Sequence, residues 1–164
     1  MQSKLKIRLR KGFSLGLMVL LPVLGNLVFL ANTRANIINS NLTVEVDGLK
    51  NQTGQICFTI FSDSEGFPDN DKNALQAQCV KITETPQKLD FSDLKPGNYA
   101  IALIHDANED GILNRNSFGI PTEGFGFSNN PTILTGPPKF NDSAVLVVGP
   151  NTNIQIKLQY FLSN

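Results

Sequence analysis

The segment NYAIALIHD (residues 98–106) has apolar side chains on both faces of an extended chain. The alternating residues are Tyr99, Ile101 and Leu103 on one face and Ala100, Ala102 and Ile104 on the other. A strand that is apolar on both faces is typical of the centre of a sheet that is covered on both sides. Pro96 and Gly97 come directly before the segment and predict a tight turn. We therefore predict a central β-strand that follows a turn.

Six further segments have the period-two alternation or the β-branched and aromatic content of strands. They are residues 41–49, 54–61, 77–82, 87–91, 143–149 and 153–162. The only helix candidate, residues 69–78, is short, and its Asn and Asp residues favour caps and turns over helix interiors. Seven strands in about 125 residues predict an all-β fold, a seven-stranded antiparallel β-sandwich in residues 36–164.

The first 35 residues predict a secretory signal peptide. A basic block within the first eleven residues precedes a stretch without charge from Gly12 to Ala31. A basic region, an apolar region and small residues at a cleavage site are typical of such a leader. If the leader is cleaved after Ala35, Thr33 and Ala35 occupy the two positions that determine the specificity of cleavage. The alternative is an uncleaved membrane anchor, because the apolar stretch has about the length of a bilayer span.

The charge balance differs between the two parts of the chain. Six of the fourteen Lys and Arg, and none of the fourteen Asp and Glu, lie in residues 1–35. Residues 36–164 therefore have eight basic and fourteen acidic side chains, a net charge of −6. An acidic domain argues against nucleic acid as a partner, since phosphates require Lys and Arg.

Cys57 and Cys79 are the two cysteines of the chain, and each lies in a predicted strand. Export to an oxidising compartment favours a disulfide between them. The alternatives are two buried thiols, or a nucleophilic cysteine with a histidine as its base.

Residues 105–117 have the spacing of a calcium-binding loop, with acidic or amide side chains two residues apart before Gly111. The candidate ligands are Asp106, Asn108, Asp110, Ile112 through its carbonyl, Asn114 and Glu123. The match to an EF-hand loop is partial, because Ser117 occupies the position of the closing bidentate Glu. Hard oxygen ligands indicate Ca²⁺ as the cofactor, with an affinity on the order of 10⁻⁴ to 10⁻³ M. The alternative is a polar turn with Gly111 at positive φ.

The sequence downstream of this loop, EGFGFSNNP (residues 123–131), alternates glycine with phenylalanine. Aromatic side chains on a glycine-rich loop stack on sugars or bind a peptide, and they also close the open end of a sandwich. We favour the closing role. The candidate ligand-loop residues are His105, Phe125, Phe127, Asn129 and Phe140.

The motifs together resemble a bacterial family of exported, uncharacterised proteins, domain of unknown function 2141. The resemblance rests on the turn at residues 96–100, the HDANEDG motif at residues 105–111, the block at residues 119–130 and the GPPKF segment at residues 136–140. It covers roughly residues 42–160. It implies a transthyretin-like or carboxypeptidase-regulatory-like Greek-key sandwich, a scaffold of accessory and adhesive modules. One enzyme on a related scaffold hydrolyses 5-hydroxyisourate and uses several histidines to do so. This chain has one histidine, so the resemblance does not imply that activity.

Three functions are compatible with these patterns. The first is an exported binding or structural module, in the periplasm, the cell envelope or outside the cell, that recognises another protein or a surface component. The second is a hydrolase in which His105 acts with Asp106, Asp110 or Glu123 as acid and base. The third is an envelope protein that contacts the membrane only through its uncleaved N-terminal segment.

Overall fold

The computed structural model describes residues 39–162, which form two β-sheets and one short helix. The strands and helix are β1 (Ser40–Asp47), β2 (Gln55–Phe61), β3 (Gln76–Lys81), β4 (Gln87–Leu94), β5 (Gly97–Asp106), β6 (Gly124–Phe127), α1 (Phe140–Ser143), β7 (Val145–Val147) and β8 (Asn151–Lys157). The all-β prediction is confirmed, and the two sheets are consistent with a sandwich. The predicted signal peptide, its cleavage site and the alternative anchor lie outside the described residues. In residues 39–162, no helix has the length and hydropathy required to cross a bilayer.

The strands are arranged in a three-stranded and a five-stranded sheet. The first has the order β4-β1-β8, and the second has the order β3-β2-β5-β6 with β7 paired to the beginning of β5. β5 therefore lies inside the larger sheet, as its two apolar faces predict. The pair β1–β8 is parallel, which corrects the prediction of a purely antiparallel arrangement. β8 follows a turn at residues 148–150 and runs beside β1 in the same direction.

The alternating apolar residues of both sheets share one buried core. Leu42, Val44 and Val46 of β1 are fully buried, and they belong to the same apolar cluster as Ile101 and Leu103 of β5. Complete burial of an aliphatic side chain of this size contributes about 1.5–3 kcal/mol to the free energy of unfolding. This core fixes the register of β5, because a shift by one residue would exchange its two faces.

The other face of the larger sheet points away from this core. Cys57 pairs with Ile104, and Gln55 pairs with Asp106, in the antiparallel register of β2 and β5. Paired residues point to the same side of a sheet, so these four side chains lie on its outer face. The last residue of β5, Asp106, is thereby placed next to the cysteines.

One further sequence prediction requires correction. β6 is an eighth strand in a segment that we interpreted as a loop, and its two glycines are the reason, since glycine is depleted in strands. The helix candidate at residues 69–78, for which the sequence predicts at most one or two turns, forms one 3₁₀ turn at Asp71–Asn73, and β3 begins at Gln76.

Candidate functional site

The buried carboxylate of Asp106 organises the beginning of the loop that follows β5. Its side chain is fully buried. Oδ1 accepts the backbone N–H of Asp110 at 3.1 Å, and Oδ2 accepts the backbone N–H of Gly111 at 2.8 Å. Oδ2 also accepts the side-chain amide of Gln55 at 2.8 Å. Both oxygens are thus used to fold the chain back over the end of β5.

The carboxylate of Asp110 lies on the exposed side of the same loop and accepts hydrogen bonds from the amide side chains of the loop. Oδ2 accepts Nδ2 of Asn108 at 2.8 Å and Nδ2 of Asn114 at 3.0 Å, while Oδ1 accepts the backbone N–H of Ile112 at 3.0 Å. The hydrogen bond from Asn114, then those from Ile112 and Asn108, lower the pKa of Asp110 below its usual 3.8. The group is therefore ionised at neutral pH.

Glu123, which lies just before β6, closes the loop from the other side. Its Oε1 accepts the backbone N–H of Ala107 at 3.0 Å, and its Oε2 accepts the backbone N–H of Asn114 at 3.0 Å. One carboxylate thus connects the two ends of the segment between Ala107 and Asn114. Gly111 has φ +79°, a conformation that glycine adopts without strain.

The six predicted metal ligands therefore lie in or beside one ordered loop, although their oxygens do not all converge. Within residues 39–162, the one trio of His, Cys, Asp and Glu ligand atoms that lie within 4.8 Å of one another is Cys57, Cys79 and Asp106. The carboxylates of Asp110 and Glu123 do not belong to it. In this arrangement Asp106 and Glu123 direct their oxygens at backbone N–H groups, and the Asn side chains direct N–H groups at Asp110.

Cys57 and Cys79 form a disulfide, which confirms the predicted pairing. They are directly opposite each other in the β2–β3 ladder. Within the described part of the chain there are no free cysteines, so the alternative of a nucleophilic thiol is wrong for this state. The disulfide also removes thiolate ligands from the trio with Asp106.

His105 is buried on the core side of β5, with 2% of its surface exposed. Its Nε2 lies 2.8 Å from the backbone carbonyl of Thr53, and its Nδ1 lies 2.7 Å from the hydroxyl of Tyr160. A carbonyl only accepts, so Nε2 carries the proton; in the neutral ring Nδ1 then accepts from Tyr160. Both nitrogens are engaged within the protein, and neighbours on β5 point to opposite faces, so His105 and Asp106 do not share a pocket. No contact of His105 favours the hydrolase hypothesis.

Phe125 and Phe127 lie on the outer face of β6, with 4% and 8% of their surfaces exposed. They pair with Ile104 and Ala102 of β5. The glycines between them, Gly124 and Gly126, lie on the inner face, where the C-terminal segment approaches closely. A Cβ on Gly126 would be 2.9 Å from Cγ2 of Ile156, and one on Gly124 would overlap the ring of Tyr160. The alternation of Gly and Phe thus serves packing on both faces.

The remaining candidate ligand-loop residues are Phe140 and Asn129. The ring of Phe140 packs edge-on against Phe67, which in turn contacts Phe127. Asn129 has φ +62° and donates from Nδ2 to the backbone carbonyl of Asp142 at 3.0 Å. Phe140 thus packs against the segment between β2 and β3, whereas Asn129 connects the residues after β6 to α1.

A cavity of about 250 Å³ that the sequence did not indicate lies over the outer face of β6. We call it the Arg115 cavity. Its lining includes Leu113, Arg115, Ile120, Phe125, Leu134 and Phe161. Arg115 is the only arginine of residues 36–164, and this isolated positive charge was the one available signal in the sequence.

Sequence comparison places the chain in a protein family. A family model described as "Uncharacterized protein conserved in bacteria (DUF2141)" matches residues 44–155. Because the match extends over more than half of the chain, the protein belongs to the DUF2141 family. No curated protein and no solved structure matches the chain.

Proposed function

We propose that the protein is an exported binding module of a bacterial cell envelope or periplasm, which presents the segment at residues 107–139 to a partner. We call this the cover segment. The observation that carries the proposal is the contrast within this segment between fixed anchors and exposed apolar side chains. Ile112, Phe118 and Leu134 are 60%, 85% and 86% exposed. Exposed apolar side chains that form a contiguous patch mark sites that bind a protein, a membrane or a ligand.

The anchors give the cover segment a defined shape. Asp106 and Glu123 accept five hydrogen bonds from its first half and from Gln55, four of them from backbone N–H groups of the loop. Farther along, the buried hydroxyl of Ser128 accepts the backbone N–H of Ile101 at 2.8 Å and donates to the backbone carbonyl of Ser143. A surface that is ordered before binding loses less conformational entropy when a partner binds.

Export is supported by the leader pattern of residues 1–35 and is compatible with the disulfide. N-terminal sequencing of the protein from a bacterial host tests it. Asn36 as the first residue supports export with cleavage, and an intact Met1 in the membrane fraction supports the anchored alternative. An intact protein in the cytoplasmic fraction contradicts both.

The finer fold assignment, a transthyretin-like Greek key, is part of this proposal. The turn before β5 supports it, since the hydroxyl of Tyr99 donates to the backbone carbonyl of Lys95 at 2.7 Å. A tyrosine that binds the backbone a few residues upstream in this way is a feature of Greek-key sandwiches. An experimental structure that aligns β1 to β8 with a transthyretin-like domain in the same strand order would establish it.

We further propose that Ca²⁺ binds the loop at residues 106–114. The candidate set is hard and oxygen-rich, and the ionised Asp110 lies on the open side of the loop. A half-turn of each amide would present the carbonyl oxygens of Asn108 and Asn114 to a cation near Asp110. Glu123, Asp106 and the carbonyl of Ile112 are the remaining candidates.

The calcium proposal is tested by thermal unfolding of residues 36–164 with and without millimolar CaCl₂. A ligand at ten times its Kd stabilises the folded state by about 1.4 kcal/mol, which raises Tm by several degrees. We expect this shift in the wild type and in Asp69→Asn, and its loss in Asp110→Asn. MgCl₂ at equal concentration controls for ionic strength. An equal shift in both variants, or none in the wild type, excludes calcium at this loop and leaves the binding module untouched.

A further inference from the structure

The Arg115 cavity combines an apolar interior with one cationic side chain at its edge. Phe125 is almost fully buried at its floor, whereas Ile120, Leu134 and Phe161 around it are 38%, 86% and 49% exposed. Side chains of this kind lose contact with water when an apolar ligand fills the space between them, at roughly 25 cal/mol per Å² of buried surface. The cavity therefore favours a ligand with an apolar body.

The guanidinium of Arg115 has donors left for a ligand. Its Nη1 donates to the backbone carbonyl of Gly119 at 3.0 Å, which keeps the side chain beside the cavity. In the part of the chain that the structure describes, no carboxylate lies within 4.0 Å of it, since both ion pairs there involve lysines. A guanidinium has five N–H donors and binds carboxylates in a bidentate manner.

The wall that carries Arg115 is a compact hairpin. Arg115 and Pro121 form an isolated β-bridge, and the backbone N–H of Asn116 donates to the carbonyl of Ile120 at 2.9 Å. The side chain of Asn116 accepts the N–H groups of Phe118 and Ile120 as well. The position of the cation relative to the apolar floor is therefore set before any ligand arrives.

We propose that the Arg115 cavity binds a small amphiphilic carboxylate, a medium-chain acyl group whose head pairs with Arg115. The surrounding domain is acidic, so an anion has little general attraction to it, and the head group is selected by this single arginine. A volume of about 250 Å³ has room for on the order of eight non-hydrogen atoms at a water-like 30 Å³ each, which corresponds to a chain of about eight carbons. The inference rests on the proposed binding function and is independent of calcium.

The test uses sodium octanoate, which is monomeric at millimolar concentration, added to ¹⁵N-labelled residues 36–164. We expect saturable shifts of the amides of Gly119, Ile120 and Gly136, with a Kd on the order of 1 mM or lower. Octanol, with the same chain and no charge, is expected to bind at least about fivefold more weakly, the effect of a modest charge-assisted pair of about 1 kcal/mol.

Matched variants separate the two parts of the proposal. Arg115→Gln should weaken octanoate at least about fivefold and leave octanol unchanged, and Arg115→Lys should restore part of the difference. Lys139→Gln removes a cation outside the cavity lining and should leave both ligands unchanged. Leu134→Asp should weaken both ligands. The ¹⁵N spectra report directly whether each variant is folded.

Several outcomes would overturn the proposal. Equal affinities for octanoate and octanol would show that Arg115 does not select the head group. An equal loss of octanoate affinity in Arg115→Gln and Lys139→Gln would show the same. Absence of shifts at the cavity amides would exclude the site. Binding only of peptides with an apolar C-terminus would replace the acyl ligand with a protein partner; this outcome contradicts the present inference and leaves the proposed binding function in place.

Discussion

The carboxylate oxygen Oδ2 of Asp106 lies 3.6 Å from Sγ of Cys57, in contact with the disulfide to Cys79. The sulfur carries no proton, so the contact is one of packing, and the carboxylate takes its hydrogen bonds from Gln55 and the loop backbone. Two separate features of the sequence, the cysteine pair and the HDANEDG motif, thus meet at one point on the outer face of the sheet. The start of the cover segment is fixed against the covalent link between β2 and β3.

Asp106 is expected to contribute more to stability than any other carboxylate of the loop. Asp106→Ala removes the acceptor of three hydrogen bonds from a fully buried position and should lower the free energy of unfolding by about 2–4 kcal/mol. Asp106→Asn retains one oxygen and should lose less. Urea unfolding measures both. The control is Asp69→Asn, at an exposed position, for which a change within about 0.5 kcal/mol is expected. Equal effects of Asp106→Ala and Asp69→Asn would show that Asp106 is not an anchor.

The ionisation of Asp110 predicts how the loop responds to acid. Its folded-state pKa is lowered, first by Asn114 and then by Ile112 and Asn108. The ionised form is therefore favoured in the folded state, so its stabilising contribution is complete above the unfolded value, near 3.8, and is lost as the pH falls through the lower folded value. A carboxyl ¹³C titration in calcium-free buffer should give a midpoint below 3.8. In Asn114→Ala the midpoint should move upward toward 3.8, and an unchanged midpoint would contradict this assignment of the cause.

The sequence predicted the strands that bury an alternating face and failed where a strand carries glycine. All seven predicted strands are present. In β1, for example, the buried residues Leu42, Val44 and Val46 occur at every second position, and this period of two is visible in the sequence. β6 also alternates with a period of two, but its inner face carries glycines. Gly124 and Gly126 lie where another strand would have side chains, and their role depends on Tyr160 and Ile156, which are 30 or more positions further along the chain. Non-local contacts of this kind leave no mark in the local pattern.

The candidate site was predictable in position and less so in geometry. The spacing of Asp106, Asn108 and Asp110 indicated a loop with special structure, which is present. The sequence did not indicate that Asp106 would be buried under the disulfide or that Glu123 would bind both ends of the loop. His105 illustrates the same limit, since its role is set by Thr53 and Tyr160, which are more than 50 positions away.

The glycines of β6 give a prediction about packing. A methyl group on Gly124 would overlap the ring of Tyr160, so Gly124→Ala should destabilise the protein by about 1–3 kcal/mol as the C-terminal segment is displaced. Gly97 in β5 provides the matched control. A Cβ there would have its nearest neighbours at 3.9 Å, and Gly97→Ala should change stability by less than about 0.5 kcal/mol. Thermal unfolding of both variants measures the difference, and similar losses would contradict the close approach at Gly124.

The pair of His105 and Tyr160 gives a prediction that separates a structural from a catalytic histidine. A long-range ¹H–¹⁵N spectrum should show a proton on Nε2 of His105, since this nitrogen donates to the backbone carbonyl of Thr53. Tyr160→Phe removes the hydroxyl beside Nδ1 and leaves a buried acceptor without its partner, at a cost of about 1–2 kcal/mol. Tyr99→Phe is the matched control. It also removes one hydroxyl, which donates to the backbone carbonyl of Lys95, and it should leave the His105 signals unchanged. A proton on Nδ1 and none on Nε2 would contradict the hydrogen bond from Nε2 to Thr53. Ring signals that do not change in Tyr160→Phe would contradict the hydrogen bond between Nδ1 and Tyr160.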